Sequence, residues 1–318
     1  MIKRDCCFVL ASTAGMTPEE FSALRKKHNY IGGSDAAAII GMNPFSSKLA
    51  VYCDKMGMAE DPEDLEPLRI GRELEDYVAR RFAEETGKKV ARDNHMYRSI
   101  PYPFASANID RRIVGEYAGL ECKTTRLHYD FEGGQIPDWY YVQSVHYMAV
   151  RGYERYYIAV LDMSRMKFHW FKIERNEDEI KKLMDAERDF WEGHILPGIP
   201  PEADGSETDN KALASLFRKS KDNADDPVLL HDMDDAMDEY IALGIRIKAL
   251  QMEQDKIKQD IQLRLGENAY GGSGRFSVSW KASTSSRIDA KKLRERYPRV
   301  AEECSYESVS RRFNLASK

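Results

Sequence analysis

Two short stretches, Asn108-Ile-Asp-Arg-Arg-Ile-Val-Gly115 and Gly119-Leu-Glu-Cys-Lys-Thr-Thr125, decide how this chain folds. Polar and apolar residues alternate in each stretch and glycines bound the segment between them, so they predict two antiparallel strands joined by a turn. The two-residue period of a strand points the side chains of Glu121 and Lys123 to the same face. We therefore expect Asp110, Glu121 and Lys123 to gather at one end of this hairpin.

Two carboxylates and an amine in one place suit the hydrolysis of a phosphodiester. Hard divalent cations such as Mg²⁺ bind carboxylate oxygens and keep open positions for water and phosphate. Such a cation lowers the pKa of bound water, and a nearby lysine can orient that water or neutralise charge on the phosphate. An aspartate followed by Glu-x-Lys is a weak motif by itself, because any exposed hairpin can carry it, so the neighbouring elements must support it.

The elements on either side of the hairpin give that support. Apolar residues at helical spacing predict one helix over 67–87, which carries Glu75, and another over 139–151, which carries Gln143. Thr17-Pro-Glu-Glu20 predicts a capped helix start, and a second hairpin is predicted over 156–173. The order helix with Glu, strand with Asp, strand with Glu-x-Lys, then helix resembles the core of the PD-(D/E)xK nuclease superfamily.

Longer motifs carry a closer resemblance. They are Arg25, Ile31-Gly-Gly-Ser-Asp-Ala-Ala-Ala-Ile-Ile-Gly41, Gly71-Arg-Glu-Leu-Glu-Asp-Tyr-Val-Ala-Arg-Arg-Phe-Ala-Glu-Glu-Thr-Gly87, Asp110, Glu121-Cys-Lys123 and Gln143-Ser-Val-His-Tyr-Met148. In this order they resemble the phage exonuclease and YqaJ viral recombinase family, which is similar to the lambda exonuclease group, over roughly residues 20–200. The resemblance implies an α/β fold with a mixed central sheet flanked by helices.

The resemblance also implies an activity. It is that of an alkaline-exonuclease-type deoxyribonuclease, dependent on Mg²⁺ with Mn²⁺ as an alternative, that digests one strand of linear duplex DNA from its 5′ end. The remaining 3′ overhang would be loaded by a single-strand annealing protein. Family members further suggest a ring-like trimer that encloses DNA.

Each active-site role follows from the matching position of the family motif. Asp110, Glu121 and the helix-borne Glu75 are implied as metal ligands, Lys123 as the residue that orients the attacking water, and Gln143 as the active-site glutamine.

Two further positions are implied to bind phosphate, Ser34 by contacting the backbone and Arg25 by receiving the terminal 5′ phosphate. The sequence departs from the family pattern near these motifs, because Ile109 replaces a usual proline, Arg111 a frequent glycine and Phe21 a common tryptophan.

Charge divides the chain into two parts. The 318 residues carry a net charge of −5, but residues 275–318 hold 11 Lys and Arg against 5 Asp and Glu, so the rest carries −11. A Pro-, Gly- and acid-rich stretch over 197–209 predicts a linker, which divides a nuclease core over 1–200 from an appendage over 201–318. That appendage comprises a long heptad helix, a short strand and the basic tail. The heptad seam can pair with another protomer or fold back on residues 211–219, and one polar Gln254 in the seam slightly favours the fold-back.

Composition excludes several classes of protein. No apolar run approaches the roughly 20 residues that cross a bilayer, and the first ten residues lack a secretory core, so we expect a cytoplasmic protein. The family resemblance implies a bacterial or phage origin. Five dispersed cysteines without a CxxC pair argue against a disulfide scaffold, a zinc site and a Cas4-like iron–sulfur centre. A site-specific or structure-specific endonuclease of the same superfamily and a non-catalytic DNA-end adaptor remain as alternatives.

Overall fold

The computed structural model describes residues 6–59, 65–221, 225–306 and 310–316. Its strands are β1 (Cys7–Ser12), β2 (Val90–Arg92), β3 (His95–Ser99), β4 (Ser106–Asn108), β5 (Arg111–Ile113), β6 (Ala118–Thr125), β7 (Arg155–Asp162), β8 (Lys167–Glu174), β9 (Tyr270–Gly272) and β10 (Ser277–Ser279). Its helices are α1 (Pro18–His28), α2 (Gly33–Ile39), α3 (Lys48–Lys55), α4 (Glu66–Thr86), α5 (Asp138–Arg151), α6 (Glu177–Phe190), α7 (Glu207–Leu216), α8 (Asp234–Leu265), α9 (Ala290–Arg296) and α10 (Pro298–Glu303). A π-helical turn, Trp191–Ile195, continues α6, and a 3₁₀ turn, His231–Met233, precedes α8.

A mixed five-stranded sheet forms the centre of the first unit, in the order β2-β5-β6-β7-β8. The two predicted hairpins are confirmed, because β5 pairs antiparallel with β6 and β7 pairs antiparallel with β8. Strands β6 and β7 are parallel, and α5 makes the crossover between them. This is the predicted α/β fold with a mixed central sheet flanked by helices, and helix, strands and helix follow in the predicted order.

Helices cover both faces of this sheet. On one face, α4 buries Val78 and Phe82 against Leu120, Tyr157 and Ala159 of the central strands. On the other face, α5 packs with α2 and α6 in the larger apolar core. Strand β6 is therefore buried over its first four residues and only partly exposed from Cys122 to Thr124, so polar residues on it need partners inside the protein.

A second, three-stranded sheet in the order β1-β3-β4 was not predicted from the sequence. The chain leaves this sheet at Asn108 and enters the central sheet at Arg111. Asp110 lies at the junction between the two sheets, outside both strands. The direction of its side chain is therefore not set by the alternation of a regular strand, and its carboxylate reaches the backbone of β6 at Cys122.

Helix α1 has the predicted capping box, since Thr17 Oγ1 accepts from the Glu20 N–H and Glu20 accepts from the Thr17 N–H. Ser34 stands before an Ala-rich run, and its residue type predicts a helix cap there, but the structure shows that this prediction is wrong. Helix α2 begins at Gly33, and the Gly32 N–H donates to the Asp35 carboxylate over 2.9 Å. Ser34 therefore lies inside the first turn, where its hydroxyl is not needed as a cap.

The first compact unit runs to Phe217, beyond the boundary that the linker predicts at residue 200. Helix α7 accounts for the difference, because Ala212 is buried and its carbonyl accepts from the Cys53 thiol of α3 at 3.7 Å. None of the described helices is long and apolar enough to span a membrane.

The second unit, Arg218–Lys318, contains the predicted long helix as α8, 32 residues in length. The described remainder of this unit consists of the short hairpin β9–β10 and helices α9 and α10. The apolar residues of the heptad seam are exposed: Tyr240, Leu243, Ile247, Leu250, Ile257 and Ile261. The described residues of the second unit therefore leave the seam uncovered.

Candidate active site

The end of strand β6 holds the predicted Glu-x-Lys pair on one face, as the alternation requires. Lys123 Nζ donates to Glu121 Oε1 at 2.8 Å and to Gln143 Oε1 at 2.9 Å. Gln143 Nε2 in turn donates to Glu121 Oε1 at 2.7 Å. The three side chains form a closed hydrogen-bonded triangle between β6 and α5, so the glutamine fixes both charged groups.

Asp110 completes the cluster from the junction between the two sheets. Its Oδ2 accepts from the backbone N–H of Cys122 at 2.8 Å, which places its carboxylate beside the Glu121–Lys123 pair. Burial and the negative charges of Glu121 and Glu75 raise the pKa of Asp110 well above its ordinary value, while Lys123 opposes them. Negative charge is therefore crowded here, and a cation in this position would be stabilised.

Lys123 is held in its charged form. Burial would lower the pKa of its amine, but the charges of Glu121 and Asp110 outweigh that effect and raise the pKa. The amine also lies over the ring of Tyr140, 5.2 Å from its centre. Because the amine keeps its proton, it can donate hydrogen bonds and positive charge but is not available as a base.

Glu75 reaches the same region from α4 but is bonded to Arg111. The Arg111 guanidinium donates to Glu75 Oε1, to Asp76 Oδ1 at 2.6 Å and to the Asp110 carbonyl oxygen at 2.7 Å. The Arg111 side chain is only 4% exposed. Arg111 thus supplies a fixed positive charge at a position where the family often has glycine, and this ties Glu75 to the start of β5.

The residues present suit a hard divalent cation held by two carboxylates. Glu121 Oε2 is buried and accepts no hydrogen bond, so one oxygen of the cluster lacks a partner. Within the described ranges, no three His, Cys, Asp or Glu side chains form a ready-made metal cluster. A metal-binding role for Asp110, Glu121 and Glu75 therefore stays a prediction, and the oxygen of Glu121 without a partner is the observation that fits it.

Arg25 and Ser34 line the same cavity as Asp110 and Gln143, with a volume of about 220 Å³. A larger cavity of about 890 Å³ also reaches Arg25 and Asp110 and extends past Glu75. The Arg25 guanidinium is partly exposed and lies 4.0 Å from Asp35 Oδ1. The structure thus brings both predicted phosphate-binding residues to the cavity that leads to the carboxylates.

A buried ion pair fixes the position of Asp35 beneath Arg25. Lys55 Nζ contacts Asp35 Oδ2 at 2.7 Å, and the Lys55 side chain is 4% exposed. Although burial alone would raise the pKa of Asp35, the charges of Lys55 and Arg25 lower it. The carboxylate therefore stays ionised and anchors the guanidinium at the cavity wall.

Two further residues of the site were not identified from the sequence. Tyr147 OH accepts from Gln143 Nε2 at 3.0 Å, and its ring leaves no room for a side chain at Gly33, where an added Cβ would lie 2.6 Å from the ring. Gly33 is therefore required for the close approach of α2 to α5. The signal was present, since Tyr140, Gln143 and Tyr147 recur at three- and four-residue spacing on one face of α5.

Comparison with known proteins gives one family and one full-length relative. A family model, the YqaJ-like viral recombinase domain, matches residues 20–154. The uncharacterized protein YqaJ of Bacillus subtilis strain 168 is 35% identical over 312 residues, which is 96% of this chain and 97% of that protein.

Solved structures with a similar fold are more distant in sequence. The alkaline exonuclease LHK-Exo of Laribacter hongkongensis, in complex with dAMP, is 17% identical, with a TM-score of 0.46 over 57% of this chain and 94% of that one. A phage-related exonuclease from Haemophilus somnus 129PT is 14% identical, with a TM-score of 0.42 over 53% of this chain and 96% of that one.

Proposed function

Because this chain belongs to the YqaJ-like viral recombinase family, we propose that the cluster of Asp110, Glu121, Lys123 and Gln143 is the active centre of a metal-dependent DNA exonuclease. The substrate is one strand of linear duplex DNA, digested in the 5′ to 3′ direction to leave a 3′ overhang. The observation that carries the proposal is the charged Lys123 amine bonded to the buried Glu121, beside the carboxylate of Asp110 at the cavity wall.

Each residue of the cluster has a distinct task. Asp110 and Glu121 would hold Mg²⁺, or Mn²⁺ in its place, and the bound cation would activate water and neutralise phosphate charge. Lys123 donates hydrogen bonds to the attacking water or the phosphate oxygens. Gln143 holds Lys123 and Glu121 in register, and the Cys122 N–H fixes one oxygen of Asp110.

The direct test is timed digestion of labelled DNA with Mg²⁺. We expect linear duplexes to be degraded and covalently closed circles to survive, because the reaction begins at an end. Cleavage of closed circles at defined positions would instead identify a site-specific endonuclease. DNA binding without any hydrolysis would support a non-catalytic adaptor.

Arg25→Ala is expected to reduce the preference for a 5′-phosphate end over a 5′-hydroxyl end. Loss of one charge-assisted contact to phosphate corresponds to roughly 1.5–3 kcal/mol, or about 10- to 150-fold. The ratio of initial rates on the two substrates measures it. Arg112→Ala, an exposed arginine on β5 that lines neither cavity, serves as the control. An unchanged end preference in Arg25→Ala would assign the terminal phosphate to another residue.

We further propose that the second unit contacts duplex DNA. The basic tail over 275–318 is rich in arginine, which suits phosphate. Phosphate contacts release counterions, so log affinity falls with log salt by a slope of about −0.9 per contact.

Truncation after Phe217 should therefore flatten the salt dependence of duplex binding, measured by fluorescence anisotropy in EDTA. If the truncated protein is folded, keeps the salt dependence of duplex binding and no longer binds a single-strand annealing protein, the second unit is a protein-docking element instead. Thermal unfolding checks that the first unit stays folded.

Three partners belong to the same proposal: duplex DNA ends, a single-strand annealing protein and further copies of this chain in a ring-like trimer. The reaction would take place in the bacterial cytoplasm, where phage and host DNA ends are processed.

A further inference from the structure

A line of aromatic rings leads from the active centre to the protein surface. The Lys123 amine lies over Tyr140, whose ring centre is 5.5 Å from that of Trp139. Trp139 makes edge contacts with Phe45 at 5.4 Å and with Tyr129 at 5.8 Å. We call these four residues, Phe45, Trp139, Tyr129 and Tyr140, the aromatic platform.

Phe45 is the exposed end of the platform, with 62% of its surface accessible. Single exposed apolar residues are common on proteins, so exposure alone means little. Phe45, however, is held in place, because its N–H donates to Asn43 Oδ1 at 2.9 Å and Pro44 restricts the turn between them. The backbone of the turn is therefore restrained, and the ring packs edge-on against Trp139, so less freedom is lost when a ligand binds.

Positive charge lies beside two of the four rings. Lys123 lies over the ring of Tyr140, and Arg165 Nη1 donates to the carbonyl oxygen of Tyr129 at 2.9 Å. Aromatic faces bordered by cations are the combination with which proteins bind single-stranded nucleic acid, since bases stack on the rings while phosphates meet the charges. Because this combination of rings and cations begins at the active centre, we favour DNA over a protein as its ligand.

We propose that the aromatic platform binds the unpaired bases of a DNA strand beside the active centre, with Phe45 as the stacking surface and Arg165 as a phosphate contact. The inference rests on the proposed exonuclease function, because digestion of one strand leaves its complement unpaired at this point. The platform adds a base-binding surface to a site that otherwise contacts the sugar–phosphate backbone.

Equilibrium binding of a short oligothymidylate in EDTA tests the proposal without hydrolysis. Phe45→Ala should weaken binding about tenfold, within the range of one base–aromatic stacking contact, and Phe45→Trp should restore it. An abasic oligomer of equal length should bind the wild type and Phe45→Ala equally, because it has phosphates but no bases. Phe8→Ala, which removes a comparably exposed ring from β1, is the matched control.

Arg165→Ala should act differently from Phe45→Ala. It should lower the salt slope of oligothymidylate binding by about 0.7, the value for one phosphate contact on a single strand, whereas Phe45→Ala should leave that slope unchanged. Unchanged oligothymidylate affinity in a folded Phe45→Ala protein would overturn the proposal. If Phe45→Ala keeps its DNA affinity but no longer binds a single-strand annealing protein, the platform is instead a docking site for that protein.

The two hypotheses fail in distinguishable ways. A wild-type protein that binds oligothymidylate through Phe45 but never hydrolyses DNA would contradict the exonuclease and leave the platform standing. A protein that digests linear duplexes yet shows no difference between Phe45→Ala and Phe8→Ala would contradict the platform alone.

Discussion

Lys123→Ala is expected to abolish Mg²⁺-dependent hydrolysis of linear duplex DNA, by on the order of a thousandfold or more, while leaving DNA affinity largely intact. The amine is a charged donor that contacts Glu121 and Gln143 together, and it keeps its proton because of the carboxylates around it. A factor of a thousand is about 4 kcal/mol of lost transition-state stabilisation, which is typical for removing a preorganised charge. Single-turnover digestion and anisotropy binding in EDTA separate the two effects.

Lys88→Ala is a closely matched control for that experiment. Lys88 also contacts a glutamate at 2.8 Å, Glu116, and also lies 5.2 Å from the centre of a tyrosine ring, that of Tyr157. It differs from Lys123 in lying outside the acidic cluster, so its loss should leave turnover near the wild-type rate. Asp110→Asn and Glu121→Gln should resemble Lys123→Ala. Wild-type turnover in these variants would show that the chemistry takes place elsewhere.

The sequence predicts those features of the site that depend on the alternation of side chains along one strand. Strand alternation alone places Glu121 and Lys123 on one face, and the structure confirms it with a direct contact. The helix carrying Gln143 was predicted from apolar spacing, but its contact with both charged groups depends on the parallel crossover from β6 to β7. Only the family resemblance indicated that this glutamine belongs to the site.

Contacts between distant segments account for what the sequence did not predict. Strand β1 has no partner nearby in the chain, because it pairs with β3 through contacts such as Cys7 with Ser99. Arg111 gives no sign in the sequence that it binds Glu75, 36 residues earlier. Short segments of this kind are stabilised by packing rather than by their own propensity, so residue patterns identify them poorly.

His146 shows the same limit inside a correctly predicted helix. The histidines of the chain are scattered without the spacing of a metal-ligand motif, so the sequence indicates no role for His146. In the structure it is fully buried, with Nδ1 2.8 Å from Glu187 Oε1 and Nε2 2.9 Å from the Ser106 carbonyl oxygen. A histidine so far from solvent acts as a structural link between α5, α6 and β4, which could be recognised only once Glu187 was placed opposite it.

Glu187→Ala is expected to lower the free energy of unfolding by about 3–5 kcal/mol, the cost of leaving one member of a buried ionisable pair without its partner. Burial would lower the pKa of His146, but the Glu187 carboxylate raises it, so removing Glu187 leaves the imidazole with an unmatched polar nitrogen. Urea unfolding measures the loss, and Asp185→Ala on the exposed face of the same helix should change the free energy of unfolding little.

Because two apolar residues of similar size can replace a buried pair, the double variant His146→Leu with Glu187→Met should be more stable than Glu187→Ala alone. If Glu187→Ala loses less than about 1 kcal/mol, or if the double variant is less stable still, the pair does not link the helix of Gln143 to its neighbours in the way that its geometry indicates.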